Sequence, residues 1–133
     1  MNEKSLRNLA IAASLRAYSP YSKAQVGCAV VCENGEIFTG CNIENSSYGA
    51  TICAERVAIF KAVEKGHKRV KQIYLYTKAG WSPCGMCRQV ISEFATSNLT
   101  ITIGKESEPI EQTISFKELF PLGFTQKDMG INE

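Results

Sequence analysis

The sequence has very few of the residues on which many hydrolases depend. Its 133 residues include one histidine, His67, and one aspartate, Asp128. A Ser-His-Asp triad would therefore have to use both of them, and a zinc site rich in histidine cannot be built. General acid–base chemistry must accordingly fall mainly to glutamate.

Long apolar runs and a strong excess of charge are also missing. No segment reaches the run of about 18 apolar residues expected of a membrane span. The N-terminus carries Glu3, Lys4 and Arg7 before Leu9, and it lacks the apolar core of a signal peptide. The net charge of +2 is too small to indicate a nucleic-acid partner. We therefore expect a cytoplasmic protein with neither a membrane nor a nucleic acid as its partner.

The length of the chain and its cysteine content indicate how many domains it has and what its thiols do. A chain of 133 residues is long enough for one domain with a hydrophobic core, and we expect a single domain over residues 1–133. In the cytosol, its six cysteines are better explained as metal ligands, catalytic groups or buried thiols than as disulfides.

Hydrophobic periodicity and turn residues predict elements in the order α-β-β-α-β-α-β-β-α. This order indicates a three-layer α/β/α fold, in which helices cover both faces of a central, mixed five-stranded sheet. The predicted strands are residues 26–32, 36–42, 70–77, 99–103 and 111–115. The predicted helices are residues 2–18, 51–65 and 82–96, with a short last helix after residue 115.

Capping and turn residues set the predicted ends of these elements. Asn34-Gly35 suits a tight hairpin turn between the first two strands. Thr51 or a neighbour can cap the second helix. Ser82 followed by Pro83 is a typical entry to the third helix.

Three cysteines and a glutamate form the most informative pattern in the chain. Cys84 and Cys87 are three residues apart at a helix start, so both thiols can face one point. If the start of the helix near Cys53 lies beside them, three thiolates converge on one Zn²⁺ and leave its fourth position open, as in catalytic zinc sites. Glu55 would then be the proton carrier at that open position.

Three thiolates around Zn²⁺ give a net negative centre, which is a poorer Lewis acid than a histidine-rich site. Arg56 directly follows Glu55, and it could donate N–H bonds to a cysteine sulfur and so withdraw charge from the ligands. The alternative interpretation of Arg56 is an ordinary surface arginine.

Two other interpretations of the cysteines stay open at this point. Cys84 and Cys87 alone could form a thioredoxin-like redox pair, although such a pair has no use for the Cys-Ala-Glu motif. A structural zinc site with four cysteine ligands would result if one more thiol joined, and the candidates are Cys28, Cys32 and Cys41.

Taken together, the motifs resemble those of the small homotetrameric zinc-dependent cytidine deaminases. Cys-Ala-Glu at 53–55 followed by Pro-Cys-x-x-Cys at 83–87 matches the three-cysteine form of the zinc deaminase signature. The resemblance extends from Pro20 to Phe124. It includes Pro-Tyr-Ser-Lys at 20–23, Val-Gly at 26–27 and Gly-Cys-Asn-Ile-Glu-Asn at 40–45.

The resemblance implies how the metal centre is built. Cys53, Cys84 and Cys87 would bind one zinc ion per chain. Glu55 would carry protons between water and the substrate. Arg56 matches the arginine that hydrogen-bonds the zinc cysteines in three-cysteine members of the family.

The resemblance also implies how the nucleoside is held. Asn42 and Glu44 match the residues that bind the ribose hydroxyls, and the backbone of Ala54 would contact the pyrimidine ring. Tyr48 and Phe124 match residues that reach the site of a neighbouring subunit. We therefore expect a homotetramer whose active sites are shared between subunits.

The reaction implied is the hydrolytic deamination of cytidine and deoxycytidine to uridine and deoxyuridine, with release of ammonia, in pyrimidine salvage. One residue departs from the family pattern, since Ala24 stands where a phenylalanine is usual. This change keeps open a deaminase for another cytosine nucleoside such as blasticidin S, although Asn42 and Glu44 argue for an ordinary ribose. A zinc or redox scaffold without catalysis is the more distant alternative.

Overall fold

A mixed five-stranded sheet forms the centre of the computed structural model, which describes residues 2–107 and 111–131. Its strands are β1 (Gly27–Cys32), β2 (Ile37–Cys41), β3 (Val70–Tyr76), β4 (Ala95–Gly104) and β5 (Gln112–Ser115). They lie in the order β2-β1-β3-β4-β5. The β3–β4 pair is parallel, and the other pairs are antiparallel. The predicted mixed sheet is therefore confirmed.

Helices cover both faces of this sheet, as the sequence predicted. They are α1 (Glu3–Ser14), α2 (Ala54–Glu64), α3 (Gly85–Phe94) and the short α4 (Phe116–Leu119). Two single-turn 3₁₀ segments, Tyr48–Ala50 and Gln126–Met129, were not predicted. Over the described ranges, none of the helices has both the length and the apolar character to span a membrane.

Strand β1 shows how one sheet serves two cores. Its residues are all buried, because successive side chains point to opposite faces and both faces are covered. Ala29 and Val31 pack with α1 residues such as Leu6, whereas Cys28 and Val30 pack in the second core with α2 and α3. The apolar run that predicted a buried strand is thus explained by its central place in the sheet.

Two glycines are required by the hairpin and by the packing of α2. Gly35 takes a positive φ of 95° in the predicted turn between β1 and β2. At Gly40, a Cβ atom would lie 2.5 Å from the backbone nitrogen of Ala58 and 2.6 Å from the carbonyl oxygen of Ala54. The absence of a side chain there lets the N-terminal half of α2 rest directly on β2.

The first helix ends earlier than predicted. α1 stops at Ser14, rather than near Tyr18. Tertiary contacts explain the early end. The Tyr18 backbone nitrogen donates a hydrogen bond to the Asn42 carbonyl oxygen at 3.0 Å, and Tyr18 forms a β-bridge with Ile43. This pairing draws the chain out of the helix and toward the loop after β2.

The second and third helices begin later than predicted. The N-cap of α2 is Cys53, and the hydroxyl of Thr51 instead accepts a hydrogen bond from a loop amide. The N-cap of α3 is Cys84 rather than Ser82, whose hydroxyl accepts a hydrogen bond from Arg88 at 3.2 Å. Both predicted capping side chains are therefore used in loop contacts, and cysteines occupy the cap positions.

The strand after α3 also begins earlier than predicted. α3 ends at Phe94, and β4 starts at Ala95, which pairs with Val70 at the start of β3. Pairing with a neighbouring strand thus overrides the helical pattern expected up to residue 96. The short last helix is confirmed, and the Ser115 hydroxyl accepts a hydrogen bond from the Glu118 nitrogen at 3.3 Å.

Candidate active site

Three thiols meet where helices α2 and α3 begin. Cys53 and Cys84 are the N-caps of these helices, and Cys87 lies in the first turn of α3. The Cys84 and Cys87 sulfurs are 3.3 Å apart, and the Cys53 and Cys84 sulfurs are 3.8 Å apart. All three sulfurs lie within 4.8 Å of one another. The structure therefore brings together the three cysteines that the sequence predicted as metal ligands.

The electrostatics of this thiol cluster fit a zinc ion. Three sulfur donors are a set that zinc prefers, and helix N-termini favour thiolates through their unpaired N–H groups and dipole. The hydrogen bond from Cys87, together with that from Arg56, lowers the pKa of the Cys53 thiol, whereas the same contact with Cys53 raises the pKa of the Cys87 thiol. A cation at the cluster would therefore be needed for both thiols to ionise. Cys87 is buried, but Cys84 is exposed, so the cluster is open to solvent on one side.

Arg56 contacts the thiol cluster, as the sequence predicted for a residue that withdraws charge from the cysteine ligands. Its Nη2 atom donates to the Cys53 sulfur at 3.6 Å. The guanidinium can therefore offset part of the negative charge of three thiolates. Its Nε atom is buried and has no hydrogen-bond partner among the described residues.

Glu55 is buried beside the same cluster, with 4% of its surface exposed. Burial raises the pKa of its carboxyl group to about 7, and the charge of Cys53 adds to that rise. A carboxyl group with a pKa near neutrality can both accept and donate a proton under ordinary conditions. The buried position in the first turn of α2 thus gives Glu55 the acid–base character that a solvated glutamate lacks.

Glu44 is held by the loop that follows α1. Its Oε1 atom accepts hydrogen bonds from the backbone nitrogens of Tyr21 at 3.0 Å and Ser22 at 3.1 Å, and its Oε2 atom accepts from the Ser22 hydroxyl. The bond from the Ser22 hydroxyl, with help from these amides, lowers the pKa of Glu44. An open cavity of about 350 Å³ lies here, lined by Tyr21, Ser22, Glu44, Tyr48 and Thr51.

Asn42 is bound to the same loop by its side chain. The Nδ2 atom donates to the Ala24 carbonyl oxygen at 2.9 Å, and the Oδ1 atom accepts from the Val26 nitrogen at 2.9 Å. Only 7% of the Asn42 surface is exposed. The structure therefore brings Asn42 and Glu44 against one segment, residues 20–26, where Asn42 also fixes the course of the backbone.

Comparison with known proteins agrees with this geometry. Residues 1–103 match the family model described as the cytidine and deoxycytidylate deaminase zinc-binding region. The chain belongs to this deaminase family. The metal of the family is zinc, and the three-sulfur cluster of this chain suits that ion.

Individual members of the deaminase family resemble the chain over most of its length. It is 45% identical to a cytidine deaminase of Sporosarcina psychrophila, over 86% of this chain and 85% of that protein. It is 42% identical to a cytidine deaminase of Halalkalibacterium halodurans, over 98% and 99% of the two chains. The crystal structure of a cytidine deaminase from Burkholderia pseudomallei matches with a TM-score of 0.88 and 36% identity, covering 93% of this chain and 100% of that one.

The other site residues expected of a cytidine deaminase lie at different depths. Ala54 is fully buried in the first turn of α2, between Cys53 and Glu55. Tyr48 is 76% exposed, and its ring packs edge-on against Tyr21 with the centroids 6.0 Å apart. Phe124 is 58% exposed.

The remaining three cysteines lie away from the metal cluster of this deaminase-family chain. Cys28 and Cys32 are buried in β1, and burial raises the pKa of the Cys28 thiol. Cys41 is partly buried at the end of β2. Within residues 2–107 and 111–131, the potential metal ligands that meet at one point are those at 53, 84 and 87. A fourth cysteine ligand is therefore not supplied by this geometry.

Sequence reasoning missed Arg88, which braces the loop that leads into α3. Its Nε atom donates to the Pro83 carbonyl oxygen at 2.8 Å, and its Nη1 atom donates to the Leu119 carbonyl oxygen at 2.9 Å. Arg88 thereby ties the residue before Cys84 to α4. The one sequence signal for this role was its place directly after Cys87.

Proposed function

We propose that the chain catalyses the zinc-dependent hydrolytic deamination of cytidine and deoxycytidine to uridine and deoxyuridine, with release of ammonia. One observation carries this proposal: a buried glutamate with a pKa near 7 lies beside three converging thiols at the starts of two helices. Relatives named cytidine deaminase, at up to 45% identity, support the same substrate class.

The proposed mechanism divides the chemistry between the metal and Glu55. Zinc held by Cys53, Cys84 and Cys87 would lower the pKa of a water molecule toward about 7 and thus supply the nucleophile. Glu55 accepts a proton from the attacking water and delivers it to N3 of the pyrimidine as the oxygen bonds to C4. Glu55 then takes the second proton from that oxygen and passes it to the amino group, and the C4–N bond breaks to release ammonia as the C4 carbonyl forms.

The proposal also assigns residues that bind the sugar and the base of the nucleoside. Glu44 and Asn42 receive the sugar hydroxyls at the loop of residues 20–26, and the backbone of Ala54 contacts the pyrimidine. The cavity beside Glu44 and the position of Ala54 directly before Glu55 support this placement. The sugar would then lie at the loop while the base faces the start of α2.

We also propose that the protein is a cytoplasmic homotetramer of single-domain chains whose active sites are shared. The exposed rings of Tyr48 and Phe124 support contact with a neighbouring subunit, as do exposed apolar side chains such as Leu122 and Met129. Six free cysteines suit a reducing compartment.

A deamination assay tests the proposal directly. Purified protein of known zinc content is assayed with cytidine, deoxycytidine, cytosine and blasticidin S, and ammonia release is measured. We expect turnover of the two nucleosides with one zinc per chain, and we expect Glu55→Gln to keep zinc and lose turnover. Turnover of blasticidin S alone would favour the alternative substrate that Ala24 suggested. A reducible Cys84–Cys87 disulfide without zinc or turnover would contradict the proposal.

A further inference from the structure

Ser22 lies in the middle of a chain of hydrogen bonds that connects Glu44 with Asn42. Its hydroxyl donates to the Glu44 carboxylate and accepts from the Ala24 nitrogen at 3.0 Å. The Ala24 carbonyl oxygen in turn accepts from Asn42 Nδ2 at 2.9 Å. A displacement at Ser22 would therefore reach both of the side chains assigned to the sugar.

The backbone around Ser22 has a conformation that needs such support. Lys23 has a φ of 63°, in the left-handed region that residues other than glycine seldom occupy. The bond from the Ala24 nitrogen to the Ser22 hydroxyl spans this residue, and the Lys23 nitrogen donates to the Ser19 carbonyl oxygen at 3.0 Å. These two bonds stabilise the turn that presents the Tyr21 and Ser22 amides to Glu44.

The Glu44 carboxylate keeps one hydrogen-bond acceptor site free for a ligand. A carboxylate offers about four lone-pair sites. The described protein donors use three of them: two backbone N–H groups on Oε1 and the Ser22 hydroxyl on Oε2. One acceptor site on Oε2 thus remains, and the Ser22 hydroxyl limits rotation of the carboxylate that carries it.

We propose that Ser22 is a positioning residue, which holds Glu44, and Asn42 through Ala24, in the orientation that receives the sugar hydroxyls of the nucleoside. This inference rests on the proposed function, because it requires a sugar to be bound at Glu44. Ser22 acts on the sugar end of the ligand and not on Glu55 or the thiols. Its loss should therefore raise KM and leave kcat nearly unchanged.

The experiment compares two ligands that differ only in the ring hydroxyls of the sugar. Ser22→Ala is assayed with cytidine as substrate, and its inhibition constant for 2′,3′-dideoxycytidine is measured alongside. Because a net hydrogen bond to a charged group is worth about 1.5 kcal/mol, we expect KM for cytidine to rise about tenfold. The inhibition constant of the dideoxy compound should stay at the wild-type value, since that compound has no ring hydroxyl for Glu44 to receive.

Three further variants separate positioning from general damage. Ser22→Thr keeps the hydroxyl and should restore most of the cytidine affinity. Ser46→Ala removes an exposed hydroxyl from the loop that follows Glu44, and it should leave KM unchanged. If Ser22→Ala does not fold, Ser22→Cys keeps the shape with a weaker donor and should raise KM in the same direction.

Several results would overturn the inference. One is an unchanged KM for cytidine in Ser22→Ala, and another is an equal loss of affinity for both ligands. A third is full additivity of Ser22→Ala with Glu44→Gln, because residues that act through one contact should not be additive. Absence of cytidine turnover in the wild type would overturn the proposed function and this inference with it, whereas the first three results leave the proposed function intact.

Discussion

Replacing Glu55 by glutamine should stabilise the metal-free fold at alkaline pH, although it removes the proposed proton carrier. Burial raises the pKa of Glu55 from its ordinary value of 4.5 to about 7. Folding therefore favours the protonated carboxyl, and a buried carboxylate costs free energy. Each pKa unit is worth about 1.36 kcal/mol, so this difference amounts to roughly 3 kcal/mol of unfolding free energy.

The direction of the pH dependence follows from the raised pKa. Below pH 4.5 the carboxyl group is protonated in both the folded and the unfolded chain, so the wild type pays no ionisation cost. Between pH 4.5 and about 7 the carboxyl group ionises in the unfolded chain before it does so in the folded one, so the free energy of unfolding of the wild type falls. Above that range the fall is complete. Glutamine has the same size and cannot ionise. Glu55→Gln should therefore exceed the wild type by roughly 3 kcal/mol near pH 8.5 and by almost nothing at pH 4.5.

Urea unfolding of the two proteins, with chelator and reductant present, measures this difference at both pH values. The charge of Cys53 adds to the rise in the pKa of Glu55, so the measured difference includes that contact as well as burial. Bound zinc favours the carboxylate, and the difference should therefore shrink when zinc is restored. Equal stability of the two proteins at alkaline pH, or a gap of the same size at both pH values, would refute the reasoning from burial.

Three further predictions concern other parts of the site. Arg56→Gln should weaken zinc retention by roughly 10–100-fold in chelator competition, because the guanidinium 3.6 Å from the Cys53 sulfur no longer offsets its charge; zinc retention equal to that of the wild type would contradict this role. Gly40→Ala places a Cβ 2.5 Å from the α2 backbone, and it should lower the free energy of unfolding in urea by about 1–3 kcal/mol. Gly49→Ala is its control, since nothing lies within 4 Å of the added carbon, and equal stability of the two variants would count against the packing argument. Ala24→Phe should lower KM for cytidine roughly tenfold if the added ring stacks on the base, because such stacking is worth about 1–3 kcal/mol; an unchanged KM would show that residue 24 does not border the base.

The convergence of the thiols could be predicted because short-range spacing decides most of it. Cys84 and Cys87 are three residues apart on one helix, and helical geometry alone places such thiols on the same side. The approach of Cys53 required only that two helices start at the same edge of the sheet. The sequence left that arrangement as a condition, and the structure meets it, because the three sulfurs lie within 4.8 Å of one another.

The contacts of residues 20–26, which form the proposed sugar-binding loop, could not be predicted in this way. Ser22 and Glu44 are 22 residues apart, and nothing in the local pattern connects a serine hydroxyl with a distant carboxylate. The helix starts were misplaced for the same kind of reason. Ser82 followed by Pro83 is a good capping sequence, but the Ser82 hydroxyl accepts a hydrogen bond from the Arg88 side chain instead. Only the tertiary structure shows that competition.

The packing at Gly40 links the two halves of the proposed site. The catalytic half is built on the first turn of α2, where Glu55 lies directly after Cys53 and Ala54. The sugar-binding half begins two residues after Gly40, at Asn42. Because Gly40 has no side chain, the α2 backbone rests on β2 at this point, and the distance between the halves is set by rigid elements. Residues 20–26 lie outside that rigid contact and hold Glu44 through hydrogen bonds. Substitutions in this loop, such as Ala24, can therefore alter which nucleoside is accepted while the thiols and Glu55 keep their places.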